Sequence, residues 1–418
     1  MLNPIQNFEI GWFGSIPKEW SVSKIGAMYE LRTTKVSDKD YPPLSVTMKG
    51  IVPQLDFVAK TNSHDDRKLV KKGDFAINSR SDRRGSCGIS DYNGSVSLIN
   101  TVLKPRDEMN PKYCNWLFHT VQFADEFYKW GHGIVDDLWT TNWKDMKRID
   151  IPVPPLCEQK NIATFLDIKC NEIDSLMGEI QAQITTLEEY KKSLITEVVT
   201  KGLDSNVEMK DSGIEWVGEI PASWEIWPIY HYFNERKNKN KLMRETNLLS
   251  LSYGNVIRKD INSNGGLLPE NFSSYNIIEP CDIVIRPTDL QNDKRSLRTG
   301  YVNEHGIITS AYITLKPKMG VNSKYYHYLL HAYDLMKVFY NMGNGVRQGL
   351  NYNEFSKLLL VSPPKNEQDD IVNYLDSKCS EIDAIIQTKK EQLDVLAEYK
   401  KSLIYEYVTG KKEVLVNE

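Results

Sequence analysis

Apolar residues recur along residues 157–200 at a spacing that suits a helix. Leu166, Cys170, Ile173, Met177, Ile180, Ile184, Leu187, Leu194 and Val198 follow one another in steps of three and four, with one gap of seven. Such steps place every apolar side chain on one narrow stripe, the seam of a coiled coil. The stretch has no proline, and its only glycine is Gly178. A second stripe runs through Leu375, Cys379, Ile382, Ile386, Leu393, Leu396, Leu403 and Tyr407, broken at Lys389. Charged residues fill the other faces, so the obvious burial for each stripe is against the other. From Leu166 to Thr200 a helix would be about 50 Å long. Whether it is broken near 167–171 is left open by the pattern. Elsewhere the chain alternates with a period of two: Pro43 to Val52, Asp74 to Asn78, Ser95 to Leu103, Asn247 to Ser252, Asp282 to Arg286 and Ile307 to Leu315. These read as strands, punctuated by Asn93-Gly94, Asn264-Gly265 and His305-Gly306 turns. Helical pieces are expected at Tyr113 to Trp130 and Tyr325 to Tyr340. The predicted fold is mixed α/β, with two strand-rich globular domains joined by two long coiled-coil helices; if these run antiparallel, the domains sit at opposite ends of the rod they form.

The pattern is doubled because the sequence is doubled. Pro154 to Thr200 reappears as Pro363 to Thr409 at a constant shift of 209. Pro154-Pro155, Glu158-Gln159, Lys169-Cys170 and Glu189-Tyr190-Lys191-Lys192-Ser193-Leu194-Ile195 all return there. The rest matches at shifts drifting from 204 to 212: the Gly-x-Ile-Pro-x-x-Trp turns (Gly14 to Trp20, Gly218 to Trp224), Asp74 with Asp282, Gly88 with Gly300, Lys112-Tyr113 with Lys324-Tyr325. Internal self-similarity of this kind marks repeated structural units. The expected division is 1–155 and 205–364 as variable globular domains, 156–204 and 365–410 as constant helical regions, and 411–418 as a tail.

Composition narrows the function. The formal charge is −4 over 418 residues, so any phosphate contact must come from local clusters. Six cysteines are scattered without CxxC pairs, which argues against a zinc site or a disulfide framework. No run of 18 apolar residues occurs and the N-terminus does not read as a secretory signal, so a cytoplasmic protein with no membrane partner is expected. A GxxxxGK[ST] phosphate loop is missing. Glu189-Tyr190-Lys191 and Glu398-Tyr399-Lys400 read as surface ion patterns, and His119 and His331 as packed or capping residues. No catalytic or metal-ligating set emerges, and the chain is read as non-enzymatic.

Two basic loops stand at matching places. Asn78-Ser79-Arg80-Ser81-Asp82-Arg83-Arg84 follows the Asp74 strand, and Arg286 to Arg298 follows the Asp282 strand. Arg pairs bidentately with guanine, and Asn or Gln with adenine, in the major groove of DNA. The candidate readers are Asn78, Ser79, Arg80, Arg83, Arg84, Arg286, Gln291, Asn292, Lys294, Arg295 and Arg298. Arg347 and Gln348 join them from the Gly343-Asn344-Gly345 turn, which matches Gly131-His132-Gly133. One such run alone is ordinarily a solvated loop; the same device in both halves, with different residues, favours recognition. Arg236-Lys237-Asn238-Lys239-Asn240-Lys241 reads as a flexible loop.

Two variable units, each closed by Pro-Pro-x-x-Glu-Gln and a helix ending in Glu-Tyr-Lys-Lys-Ser-Leu-Ile, resemble the specificity subunit of type I restriction–modification systems. Asp211-Ser212-Gly213-Ile214-Glu215-Trp216, leading into the second half, adds to the likeness. The resemblance implies that each variable unit reads one half of a bipartite, asymmetric double-stranded DNA target, and that the helices are a ruler for the spacer. It implies two docked modification subunits, which carry S-adenosylmethionine and methylate adenine, and two restriction subunits using ATP and Mg where the host has them. This chain itself would bind no cofactor. Glu158, Gln159, Glu367 and Gln368 are the candidate docking residues, or simply start their helices. The competing expectation is a two-headed coiled-coil adaptor between proteins.

Overall fold

The structure, a computed structural model, describes residues 5–6, 11–54, 64–106, 108–133, 139–260, 271–288, 290, 297–342 and 349–414. It divides into two compact units, one of residues 1–181 with 390–418, the other of residues 182–389. Both divisions fall inside long helices. Each unit therefore holds one globular part, the first stretch of its own long helix and the last stretch of the other.

The helices are Leu156–Lys201, 46 residues, and Lys365–Val408, 44 residues. The first runs unbroken through 167–171. Its start follows the proline pair: the Pro155 carbonyl accepts from the Glu158 and Gln159 amides at 2.9 and 3.0 Å. Both helices are followed within two residues by a glycine at positive φ, Gly202 at 82° and Gly410 at 70°, where a side chain would be strained.

In the first unit Leu166, Ile173, Leu403 and Val408 share one core, with Met177, Leu396 and Tyr407 packed on it. The Phe165 and Tyr407 rings lie 4.4 Å apart and Lys400 pairs with Asp174 at 2.6 Å. One number falls as the other rises, so the segments run antiparallel. In the second unit Lys191 pairs with Asp383 at 2.6 Å and Lys389 donates to Gln183 at 2.5 Å, again antiparallel. Lys191 and Lys400 are repeat mates, as are Asp174 and Asp383. The gap between Leu187 and Leu194, and its mate between Leu396 and Leu403, is thus the place where a lysine leaves the seam to meet the facing helix's aspartate.

The globular parts share a topology. The first has an antiparallel sheet in the order Cys87–Ile89, Phe75–Asn78, Asn100–Pro105, Tyr29–Leu31. The second repeats it as Thr299–Tyr301, Ile283–Ile285, Ile313–Pro317, Phe233–Glu235. There a hairpin, Leu249–Ser252 with Asn255–Arg258, joins through the parallel pair Asn255 and Tyr301. The matching hairpin of the first unit, Leu44–Thr47 with Gly50–Pro53, pairs as a separate ladder. Central strands Phe75–Asn78 and Ile283–Ile285 are buried on both faces, which is why they read as continuous apolar runs. The Phe75, Phe118 and Phe123 rings pack tilted against one another in the first core at 4.6 Å spacings; burying each contributes about 1.5–3 kcal/mol.

The helical piece expected over Tyr113 to Trp130 is two helices, Pro111–Phe118 and Val121–Lys129. Thr120 divides them: its hydroxyl accepts from the Phe123 amide at 3.2 Å and starts the second helix. The second copy has one helix, Ser323–Leu335, then a 3-10 turn, Val338–Asn341.

Candidate nucleic-acid interface

Each basic loop springs from a buried ion pair. Asp74 is gripped by Arg32 through two bonds of 2.6 and 2.8 Å. Asp282 meets Arg236 at 2.5 and 3.0 Å. The carboxylates also accept from the Lys71 and Glu279 amides, at 2.8 and 2.9 Å. Arg236, read from sequence as part of a flexible loop, is therefore an anchor. Sequence reasoning missed both arginines as partners, although they stand 204 residues apart at matching places.

The first loop is fastened at its base. The Asn78 side chain accepts from the Arg80 amide at 3.1 Å, an Asx turn. Tyr128 donates its hydroxyl to the Arg80 carbonyl at 2.8 Å. Ser79 is buried, its hydroxyl 3.1 Å from that of Thr101. It supports the loop and does not face a groove, which corrects its sequence reading. Beyond it, Arg80 and Arg83 reach Asp82 at 3.4 and 3.6 Å, and Arg83 is two-thirds exposed. Arg84 pairs with Asp125 and lies over the Tyr128 ring at 5.6 Å. Exposed pairs of this kind are weak, so they hold these arginines only loosely.

In the second loop Arg298 is fully buried. Its guanidinium donates to the Thr288 carbonyl at 2.6 Å and sits 5.0 Å over the Tyr340 ring, while its amide reaches Asp334 at 2.5 Å. It closes the mouth of the loop and cannot also reach a base, again correcting the sequence reading. Arg286 is half-buried at the opposite side of that mouth, its amide bonded to the Arg298 carbonyl at 2.8 Å. Gln291, Asn292, Lys294, Arg295, Arg347 and Gln348 lie outside the described residues. In the first unit His132 exchanges backbone bonds of 2.9 and 3.0 Å with Thr140, and Trp139 packs so closely on Gly131 that no side chain fits there.

The candidate docking residues divide into two kinds. Gln159 is fully buried: its oxygen accepts from the Asn110 amide at 2.7 Å, and its nitrogen donates to the Pro154 and Glu108 carbonyls at 2.9 and 3.1 Å. Gln368 is buried and donates to Pro363 at 2.9 Å. Both tie the helix start to the chain before it and are unavailable to a partner, so the docking reading fails for this pair. Glu158 and Glu367 are half-buried. Glu367 accepts from the Trp224 indole at 3.1 Å. Burial raises the pKa of both carboxyls, opposed by Trp20 and Trp224. The tryptophan of each Gly-x-Ile-Pro-x-x-Trp turn thus meets the glutamate of each Pro-Pro-x-x-Glu-Gln.

The repeated Lys-Tyr pair fastens the long helices. Lys112 and Lys324 pair with Asp167 and Asp376 at 2.7 and 2.6 Å. In the first unit the Tyr113 hydroxyl donates to the Val408 carbonyl at 2.8 Å; in the second, Tyr325 donates to Val199 at 3.1 Å. Val199 and Val408 are themselves repeat mates. Each globular part therefore holds the end of the helix that belongs to the other copy. His119 bonds its own helix at the Asn115 carbonyl, and His331 is half-buried with its pKa lowered to about 4 by desolvation, so both are packed residues. Among the described residues no His, Cys, Asp and Glu cluster could hold a metal.

The model of the type I restriction modification DNA specificity domain matches residues 17–186. A putative type I restriction enzyme MjaX specificity subunit of Methanocaldococcus jannaschii is 23% identical over 98% of this chain and 97% of its own length. Residues 17–186 thus match the type I specificity domain, and nearly the whole chain is similar to a type I specificity subunit. The MjaVIII specificity subunit of the same organism is 28% identical over 50% of this chain and 48% of its own. Among solved structures, a chain from a study of type I system assembly and conformational transition superposes with TM-score 0.70 at 14% identity, over 95% of this chain and 99% of that one. The HsdS subunit of Thermoanaerobacter tengcongensis gives 0.54 at 14% identity, over 95% and 98%. At such identity the likeness shows the fold alone.

Proposed function

We propose that this specificity subunit reads a bipartite DNA target, one half-site per unit, and holds two modification subunits in equivalent positions. One observation carries the reading: the frame is the same twice while the loops on it differ. Lys400–Asp174 and Lys191–Asp383, or Tyr113–Val408 and Tyr325–Val199, repeat contact for contact. The Arg80–Arg84 and Arg286–Arg298 loops, rooted on matching ion pairs, share almost no residues. A constant frame suits two identical partners; different loops suit two unequal half-sites. Arg80, Arg83 and Arg84 are the base- or phosphate-contacting set in the first unit. The adenine leaves the stack for methylation, and that chemistry, with S-adenosylmethionine, resides on the modification subunits; ATP and Mg belong to restriction subunits. The complex works in the cytoplasm, and this chain supplies recognition.

The long helices set the spacer. Gln183 and Lys389 face each other within one unit, so matched seven-residue insertions after each keep the seam in phase. Seven residues add about 10 Å, or about three base pairs. Methylome sequencing of cells carrying the subunit with its modification partner reads the outcome. The expected result is a longer spacer with both half-sites intact; changed half-sites around the old spacer would refute the reading.

A further inference from the structure

Both units carry the same hairpin, and both hairpins end in a large apolar side chain held out in water. In the first, Thr47 faces Gly50 across a two-residue turn, Met48-Lys49. In the second, Ser252 faces Asn255 across Tyr253-Gly254. Met48 is 71% exposed and Tyr253 79%. They stand 205 residues apart, the shift that relates Leu44-Ser45 to Leu249-Ser250, so they occupy one structural position.

Single exposed apolar residues are common and need no explanation. Here three observations go further. Tyr253 has a backbone φ of 45° and Gly254 of 82°. A turn with both angles positive favours Asn, Asp or Gly at the first place, and a bulky residue there is an outlier. The tyrosine is therefore strained as well as exposed. Secondly, each tip is held beside the strand that leaves the basic loop. Gly50 lies so close to Gly88 that a Cβ on Gly88 would come within 2.8 Å of it. Gly300, the mate of Gly88, leaves the same kind of room for the second hairpin, and Gly254 lies beside Leu297 at the end of the second loop. Thirdly, the surroundings are cationic. Lys49 is next to Met48 and exposed. Tyr253 lines an open cleft of about 950 Å³ with Trp216, Leu297, Lys192, Lys201 and Lys337, against the single carboxylate of Glu197. Aromatic or apolar side chains set among lysines, next to arginine-rich loops, suit a base face flanked by phosphates.

We propose that Met48 and Tyr253 are apolar wedges that meet the faces of bases in the half-site their own unit reads, Tyr253 by stacking and Met48 by packing on an unstacked step. The inference rests on the DNA-reading function above. It adds a contact that neither hydrogen-bonds a base edge nor neutralises a phosphate. Strain at Tyr253 is what a functional position tolerates, and unstacking a step is part of presenting an adenine for methylation.

The subunit is assembled with its modification partner, and its target is taken from the methylome. Binding to that duplex is then measured against salt for wild type, Tyr253→Gly, Tyr253→Phe and Met48→Ala. Glycine is chosen because it relieves the positive φ and leaves the hairpin sound. Removing a stacked ring weakens binding about 10- to 100-fold, with Tyr253→Phe close to wild type and Met48→Ala losing less. The salt slope stays unchanged, since no counterion is released at an apolar contact. 2-Aminopurine placed along the half-site brightens at the unstacked step in wild type and not in Tyr253→Gly. Unchanged affinity in Tyr253→Gly, or a slope reduced by about one, overturns the wedge. If wild type binds no duplex, the DNA reading itself fails, and the wedge with it.

Discussion

Replacing Asp282 with alanine tests the ion pair beneath the second basic loop. Asp282 is fully buried and Arg236 shows only 13% of its side chain to solvent. The carboxylate accepts one hydrogen bond from the Arg236 guanidinium, lies 2.5 Å from its Nε as an ion pair, and accepts from the Glu279 amide. Its loss leaves a nearly buried cation and an amide without their acceptor. Breaking a buried pair from one side costs about 3–5 kcal/mol, against about 0–1 for an exposed pair. That is a large part of the roughly 5–15 kcal/mol that holds a domain folded. With a urea slope of about 2–3 kcal/mol per molar, the midpoint falls by about 1–2 M. Two units give two transitions, so the assay is urea unfolding followed by tryptophan fluorescence and circular dichroism. Asp282→Ala should move one transition and Asp74→Ala the other, because Arg32 and Asp74 form the matching pair with side chains 16% and 3% exposed. Joint replacement, Arg236→Met with Asp282→Leu, should recover most of the loss, since an apolar pair leaves no orphaned charge. A shift below about 1 kcal/mol in both single variants would refute the reasoning. So would a double variant that loses the sum of the singles.

Two further outcomes follow from the same contacts. Gln159→Ala strands the Asn110 amide and should cost about 1–3 kcal/mol of stability; full stability with weakened modification-subunit binding would restore Gln159 as a docking residue. His305 faces Glu279 through Nδ1 and Glu245 through Nε2, both at 2.8 Å, and the Glu279 hydrogen bond leads in raising its pKa above 6.5, against partial burial. A raised folded value means the stabilisation is complete below about pH 6.5 and disappears as pH climbs through the folded pKa. An NMR titration of the imidazole should find its midpoint above 6.5, falling back in Glu279→Gln, and a midpoint at or below that value would sink the assignment.

The long helices were legible because burial on one stripe imposes a strict period. Even the gap of seven had a physical meaning, a lysine at a seam position that pairs across the seam instead of filling it. The central strands were legible for a similar reason, being buried on both faces. What escaped was polar burial. Arg298 ends a run of charged and amide residues that looks solvated, and only the Thr288 carbonyl and the Tyr340 ring reveal that it points inward. Gln159 follows a glutamate at a helix start, where polar residues are usually exposed, and its three bonds run to segments 5 to 51 residues away. Arg32 and Asp74 are 42 residues apart in a diverged stretch, so no local pattern joins them.

The distinction between constant and variable residues therefore has a packing origin. Lys191 and Lys400, Asp174 and Asp383, Tyr113 and Tyr325, and Gln159 and Gln368 each touch a segment that is itself constant, so a change in one must be met by a change in its partner. Arg83 and Met48 touch chiefly solvent or a neighbour in their own loop, and no such coupling restrains them. A frame whose residues are bound to one another, carrying tips that are not, lets the recognised sequence change by loop substitution while the helix ends stay capped by the same tyrosine hydroxyls. Divergence at the tips costs little stability because the ion pairs at Asp74 and Asp282 lie beneath the loops, where the tips do not reach.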